Sequence, residues 1–161
     1  MLLTTIYAMG LRIGEGLHLE RSHIDGARGM VWIRNGKGGK DRRVPLPKPV
    51  LLRLREYWKA ERPQSTTELL FVSAEGNAIH ETTIQKTFNA AQEEAKLPRR
   101  ATVHTLRHSY ATHLVESGIS LRTIQDILGH KSMKTTEVYM HVTLPGTEHL
   151  QSVLDRLMAD L

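Results

Sequence analysis

Residues 104–114 read HTLRHSYATHL, three histidines and an arginine in a segment whose Leu106, Tyr110 and Leu114 mark one apolar helical side. His104 and His108 are four apart and share a face, as two metal ligands would. The HExxH pattern of a zinc hydrolase, however, needs a glutamate where Thr105 stands, and the guanidinium of Arg107 beside both rings is electrostatically wrong for a dication. An anion-binding site and plain solvated polarity remain, and in the anion reading Arg107 projects alongside His104 and Ala111. Arg12 has a similar setting in the apolar run GLRIG (10–14). A mostly buried arginine needs a carboxylate or an anionic ligand, because its charge cannot be neutralised. Glu15, three residues on, could form a plain ion pair with Arg12, or hold it while its other donors face a ligand. Both readings stay open at this level.

The loop NGKGGKD (35–41) invites comparison with phosphate-binding loops, but GxxxxGK[ST] and GxGxxG both fail. Its flanks, MVWIR (30–34) and RRVPL (42–46), read as strands, so it is a hairpin tip, and Lys37 sits where the chain can come close to an anion.

The elements that must position these residues are mostly helical. Residues 2–19 read as helix interrupted near Gly10. Pro49 opens a helix carrying Val50, Leu51, Leu54, Tyr57 and Trp58. LLFVS (69–73) is a candidate short strand. Ile84, Phe88 and Ala91 mark a helix ending near Ala95, and the basic loop LPRR (97–100) leads into the histidine-rich segment. Ser120 caps a helix that Gly129 stops. Residues 132–140 form another short helix, and Leu150, Val153, Leu154, Leu157, Met158 and Leu161 line an amphipathic tail helix over 147–161. The fold class expected is α+β, mostly α, with a small antiparallel hairpin sheet, in one domain of 161 residues.

Bulk properties narrow the function classes. A formal charge of +5 leans towards a polyanionic partner. Cysteine is absent, which excludes disulfides, thiolate metal sites and a cysteine nucleophile. No 18-residue apolar run and no signal peptide is present, so no membrane association and a cytoplasmic location are expected. Met1-Leu2-Leu3 enters an apolar helix without a polar cap, which suggests a piece of a longer chain.

Taken together, these blocks resemble the catalytic domain of the tyrosine recombinases, the phage-integrase and Xer-like family. AMGLRIGEGLHLERSHID (8–25) resembles that family's first arginine box, NGKGGKDRRVPLP (35–47) its lysine hairpin and HTLRHSYATHL its H-x-x-R box. LGH (128–130) resembles its following histidine and TTEVYMHV (135–142) its tyrosine segment. The blocks stand in family order from about Leu2 to Val142. The short connection from Leu69 to Glu81 resembles the Xer-like and phage or transposon branch more than the integron integrases.

The resemblance implies site-specific DNA recombination through a 3′-phosphotyrosyl intermediate, with double-stranded DNA as partner and no cofactor or metal. Tyr139 is then the nucleophile, Arg12, Arg107 and His130 bind the scissile phosphate, His104 is the base or proton relay, and Lys37 protonates the 5′-oxygen. Glu15 is expected to orient Arg12 or the tyrosine segment. Lys40, Arg42, Arg43, Arg99 and Arg100 are candidates for DNA-backbone contacts. His108 receives a structural role, His113, pointing nearly opposite to His104, no chemical role, and His18, His23, His80 and His149 the reading of solvated surface groups. His141, two residues past Tyr139, could touch the site. Tyr7, Tyr57 and Tyr110 are assigned to helical packing.

The resemblance also implies a missing N-terminal DNA-clamping domain, a clipped first catalytic-domain helix, and a tetrameric synapse on DNA when full length. Whether the tail helix packs on its own core or on a neighbouring protomer stays open. A type IB topoisomerase activity and a DNA-binding fragment without turnover are the alternatives.

Overall fold

The computed structural model describes residues 1–34, 41–98 and 100–129. Lys37, Lys40, Arg99, His130, Tyr139, His141 and His149 lie outside the described residues, as do the helices expected over 132–140 and 147–161.

Helix α1 (Leu2–Met9) ends at Gly10, which adopts the left-handed conformation with φ 60°. Only glycine enters that region without strain. Its missing side chain also matters, since a Cβ there would collide with the Tyr110 ring and come within 2.9 Å of a Leu128 methyl. After this break the chain re-enters helix as α2 (Ile13–Leu17), so the interruption expected near Gly10 creates the turn that carries Arg12.

A 3-10 turn (Arg21–His23) leads into a three-stranded antiparallel sheet of β1 (Ile24–Asp25), β2 (Met30–Ile33) and β3 (Arg42–Pro45), in that order. The two strands flanking the lysine loop are where the sequence puts them, with Val31 opposite Val44 and Ile33 opposite Arg42. β1 is an addition, because a two-residue strand leaves no periodic signal. α3 (Lys48–Glu56) has proline in its first turn and continues as a π-helical turn over Tyr57–Glu61. The LLFVS segment makes only isolated bridges, Glu20 with Leu69 and Val72 with Ala78. Its apolar residues are nonetheless core, with Leu70 and Phe71 almost fully buried.

α4 (Glu81–Glu94), α5 (Val103–Glu116) and α6 (Leu121–Leu128) complete the described chain. Ser120 caps α6 by accepting the Thr123 N–H, and Gly129 closes it at φ 65°. One hydrophobic core unites α1, the sheet, α3 and Phe71, and a smaller one joins Ala111 and Val115 of α5 to Ile124 and Leu128 of α6. Among the described residues, no helix is long and apolar enough to cross a membrane.

Candidate active site

The first functional side chain is set by the α1–α2 turn. Arg12 occupies the N-cap position of α2, and Glu15 folds back to accept the Arg12 backbone N–H at 2.8 Å and its Nη1 at 2.8 Å. The same carboxylate receives both Nη groups of Arg42 from β3, at 2.7 and 2.8 Å. Burial alone would raise the Glu15 carboxyl. The hydrogen bonds and charge of Arg42, then those of Arg12, outweigh it and hold the group at about 2. Glu15 is therefore a carboxylate at every physiological pH. The Arg12 side chain is 25% exposed, and a basin of about 850 Å³ opens beside it. Glu15, His18, Trp32 and Arg34 also line the basin, and Arg34 is the residue at which the chain enters the 35–40 segment.

α5 delivers the second set. Its most buried stripe is Val103, Arg107, Ala111 and Val115, while Leu106, Tyr110 and Leu114 are only partly buried. The expected apolar side is thus the shoulder of the helix, and the Arg107 stripe is its deepest line. Arg107 is 2% exposed, and it donates Nη1 to Gly10 O and Nη2 to Leu128 O, both at 2.6 Å, with Glu15 3.9 Å away. A buried guanidinium is tolerated here because two carbonyls and a carboxylate surround it. Its fork ties the turn preceding Arg12 to the helix end preceding His130.

His104 lies one turn earlier at the exposed end of α5, its ring edge-on to His108 with centroids 4.6 Å apart. Burial, then the positive fields of His108, Arg107 and Arg12, lower its pKa from 6.5. The imidazole is thus neutral near pH 7 and able to accept a proton. Among the described residues, no group of three His, Asp or Glu side chains converges as metal ligands would.

Arg12, Glu15, His104 and Arg107 are accordingly brought together from two helices far apart in sequence. The structure corrects the reading of Arg42 as a DNA-backbone contact. Its side chain is 9% exposed, its Nη groups are bound to Glu15, and its Nε donates to Ile127 O at 2.8 Å. Arg43 alternates to the other face, is exposed, and stacks over Trp32 at 4.1 Å from the ring centre. Arg100 is exposed.

The surface reading of His23 also fails, since it is 8% exposed and its Nδ1 accepts the Glu20 N–H at 3.2 Å. His80 caps α4 by accepting the Thr82 N–H. Tyr7 is 37% exposed, with its hydroxyl 2.7 Å from Nδ1 of His113, a pairing that apolar helical periodicity could not reveal. Tyr57 packs on Phe71, and burial pushes the phenols of Tyr57 and Tyr110 up, away from nucleophile behaviour. Arg42 and its inward fork are what sequence reasoning missed. Strand alternation was the available signal, since Arg42 is out of phase with the exposed Arg43.

Comparison with known proteins bears on this arrangement. The family model described as the Phage integrase family matches residues 1–144. Tyrosine recombinase XerD of Staphylococcus aureus (strain Mu50 / ATCC 700699) is 39% identical over 146 residues, covering 88% of this chain and 49% of the relative. Tyrosine recombinase XerA of Pyrococcus furiosus is 34% identical over 157 residues, covering 97% of this chain and 53% of the relative. A solved structure of XerA recombinase superposes with a TM-score of 0.80 at 29% identity, covering 94% of this chain and 56% of that one. A XerH site-specific recombinase bound to a palindromic difH substrate in a post-cleavage complex gives 0.79 at 30% identity, covering 96% of this chain and 45% of that one. The chain spans about half the length of the curated relatives it matches.

Proposed function

Because the chain belongs to the phage integrase family, we propose that it is the phosphoryl-transfer domain of a site-specific DNA recombinase. The observation that carries this reading is the convergence of Arg12 and Arg107 about one carboxylate, with a neutral imidazole, His104, within their field.

In this reading the scissile phosphodiester of double-stranded DNA enters the basin beside Arg12. The oxygen of Tyr139 attacks phosphorus, the P–O5′ bond breaks, and a 3′-phosphotyrosyl link forms. The phenol proton passes to His104, and Lys37 on the hairpin protonates the departing 5′-oxygen. Charge grows on the non-bridging oxygens in the transition state, and donors preorganised at that point lower the barrier most. Arg12 supplies exposed donors there, His130 adds one, and Arg107 contributes charge from beneath while holding the two segments in place. These groups fill the role that a metal ion plays in other phosphoryl transfers. The phosphotyrosine keeps the energy of the diester, so a 5′-hydroxyl of a second duplex can reverse the step without ATP. That Tyr57 and Tyr110 are engaged in packing and the Tyr7 hydroxyl is paired with His113 supports Tyr139 as nucleophile.

Lys40, Arg43, Arg99 and Arg100 remain candidates for backbone contacts, and the assembly is a homo-oligomer on DNA, tetrameric at synapsis, in the cytoplasm. The relatives are named recombinases, which favours strand exchange over a topoisomerase reaction.

The experiment is adduct trapping on a nicked suicide duplex with EDTA present. The protein is expected to form an SDS-resistant DNA adduct that Tyr139→Phe does not form. Loss of the adduct with EDTA, or its survival in Tyr139→Phe, overturns the assignment. The rate of adduct formation should also fall as pH drops through a value below 6.5, where His104 gains its proton. A rate flat from pH 7 to pH 5 contradicts His104 as base.

A further inference from the structure

Arg42 is not among the residues that the proposed reaction uses, yet it stands on one of the segments that carry them and its side chain reaches two others. It sits at the root of the hairpin, paired with Ile33 across the sheet, two residues beyond the 35–40 segment that holds Lys37. From there its guanidinium turns inward to Glu15 on α2 and to Ile127 O at the end of α6, two residues before Gly129. Gly129 fits this path, because a Cβ there would lie 2.9 Å from Arg42 Cδ.

The consequence lies in how Glu15 is shared. An ionised carboxylate has about four acceptor sites. Arg42 fills one on each oxygen, the Arg12 backbone N–H fills one on Oε2, and Arg12 Nη1 fills one on Oε1. The set is complete. Arg12 therefore meets Glu15 through a single side-chain N–H, and the rest of its guanidinium has no partner among the described residues. Without Arg42, two acceptor sites on a buried carboxylate would open. Arg12, already bound to Oε1, would add a second N–H to the site opened on Oε2 and form a two-point fork, the stronger arrangement. Its donors would then turn away from the basin.

We propose that Arg42 is a positioning residue for phosphoryl transfer: by saturating Glu15 it keeps the remaining donors of Arg12 available to the scissile phosphate. Through Ile127 O it also fixes the helix end from which His130 follows. The proposal rests on the recombinase reading above.

The test measures single-turnover adduct formation on the suicide duplex for the unaltered protein, Arg42→Gln, Arg42→Lys, and Arg42→Gln combined with Glu15→Gln. Each runs on a normal diester and on an uncharged methylphosphonate at the scissile position, with DNA affinity followed against salt. Arg42→Gln is expected to slow the diester reaction about 100-fold, the cost of a small displacement of a phosphate-binding group. Its DNA affinity and salt slope stay unchanged, and its defect shrinks on the methylphosphonate, which lacks the charge that Arg12 meets. Arg42→Lys, which keeps charge without the fork, falls between. The double variant recovers part of the loss, because a neutral amide no longer captures Arg12.

Equal rates for Arg42→Gln and the unaltered protein overturn the proposal, as does an equal defect on both substrates, which marks a purely structural role. A salt slope reduced by about one marks Arg42 as a phosphate contact and also overturns it. If Arg42→Gln does not fold, Arg42→Lys and the double variant carry the same comparison of substrates. Absence of any adduct from the unaltered protein removes the recombinase reading itself, a result distinct from an active protein indifferent to Arg42.

Discussion

Replacing Arg107 by alanine is expected to lower the unfolding free energy by about 3–5 kcal/mol and to abolish DNA cleavage. The magnitude follows from what the side chain touches. Arg107 is among the largest fully buried side chains, and it satisfies Gly10 O and Leu128 O through bonds of 2.6 Å each. Alanine leaves both carbonyls without that donor, at about 1–3 kcal/mol each, and opens a cavity that the surrounding helices can only partly fill. It also leaves Glu15 with one fewer neighbouring cation. For a domain of this size the melting temperature should fall on the order of 10 °C. Arg107→Lys keeps the charge, but an ammonium cannot reach two carbonyls in one plane, so a loss of about 1–3 kcal/mol is expected. Urea unfolding of the three proteins checks both values. An alanine variant as stable as the unaltered protein contradicts the tie between the Arg12 turn and the α6 end.

Acid should weaken the fold through Glu15. The carboxyl is held at about 2 against an ordinary 4.5, so the folded state binds its proton less readily than the unfolded chain. The stabilisation is fully present above about 4.5 and is lost as pH falls towards 2. Its size is on the order of 3 kcal/mol. Glu15→Gln should remove this part of the pH dependence and lower stability at pH 7, since Arg12 and Arg42 then face each other across a neutral amide. Asp25 and Glu75 are also held below the usual carboxylate range, but both are common to the two proteins, so they cancel in the difference. Urea midpoints at pH 7, 5 and 3 make the comparison. Parallel pH profiles for the two proteins contradict the buried-carboxylate account.

How far the sequence could be read depends on the kind of signal each residue leaves. Gly10, Ser120 and Gly129 mark helix ends by local chemistry, and the structure has those ends. The hairpin strands were equally legible, because Val31, Ile33 and Val44 are buried by period-two alternation. The setting of Arg12 was half legible. The sequence leaves a pairing with Glu15 as one of two readings, and the structure combines them, with one side-chain bond to Glu15 and the remaining donors beside a basin.

Long-range pairings were hidden. Arg42 and Glu15 are 27 positions apart, and nothing local distinguishes Arg42 from Arg43 beyond the phase of the strand. The sequence sets Arg107 with His104 and Ala111, off the expected apolar side, and its two carbonyl partners lie 97 and 21 positions away. His23 and Tyr7 were misread for a related reason. Side chains that join polar partners across a fold follow no hydrophobic period. β1 and the π-helical turn were too short or too irregular to leave a pattern.

A recombinase of the proposed kind breaks DNA by making a covalent bond from one tyrosine to phosphorus. Trapping the adduct on a suicide duplex, digesting protein and DNA, and locating the nucleotide-bearing peptide by mass spectrometry tests it most directly. A 3′-phosphonucleotide is expected on the peptide containing Tyr139 and on no other. A nucleotide on the peptide of Tyr7, Tyr57 or Tyr110, or cleaved DNA with no linked peptide, would contradict it.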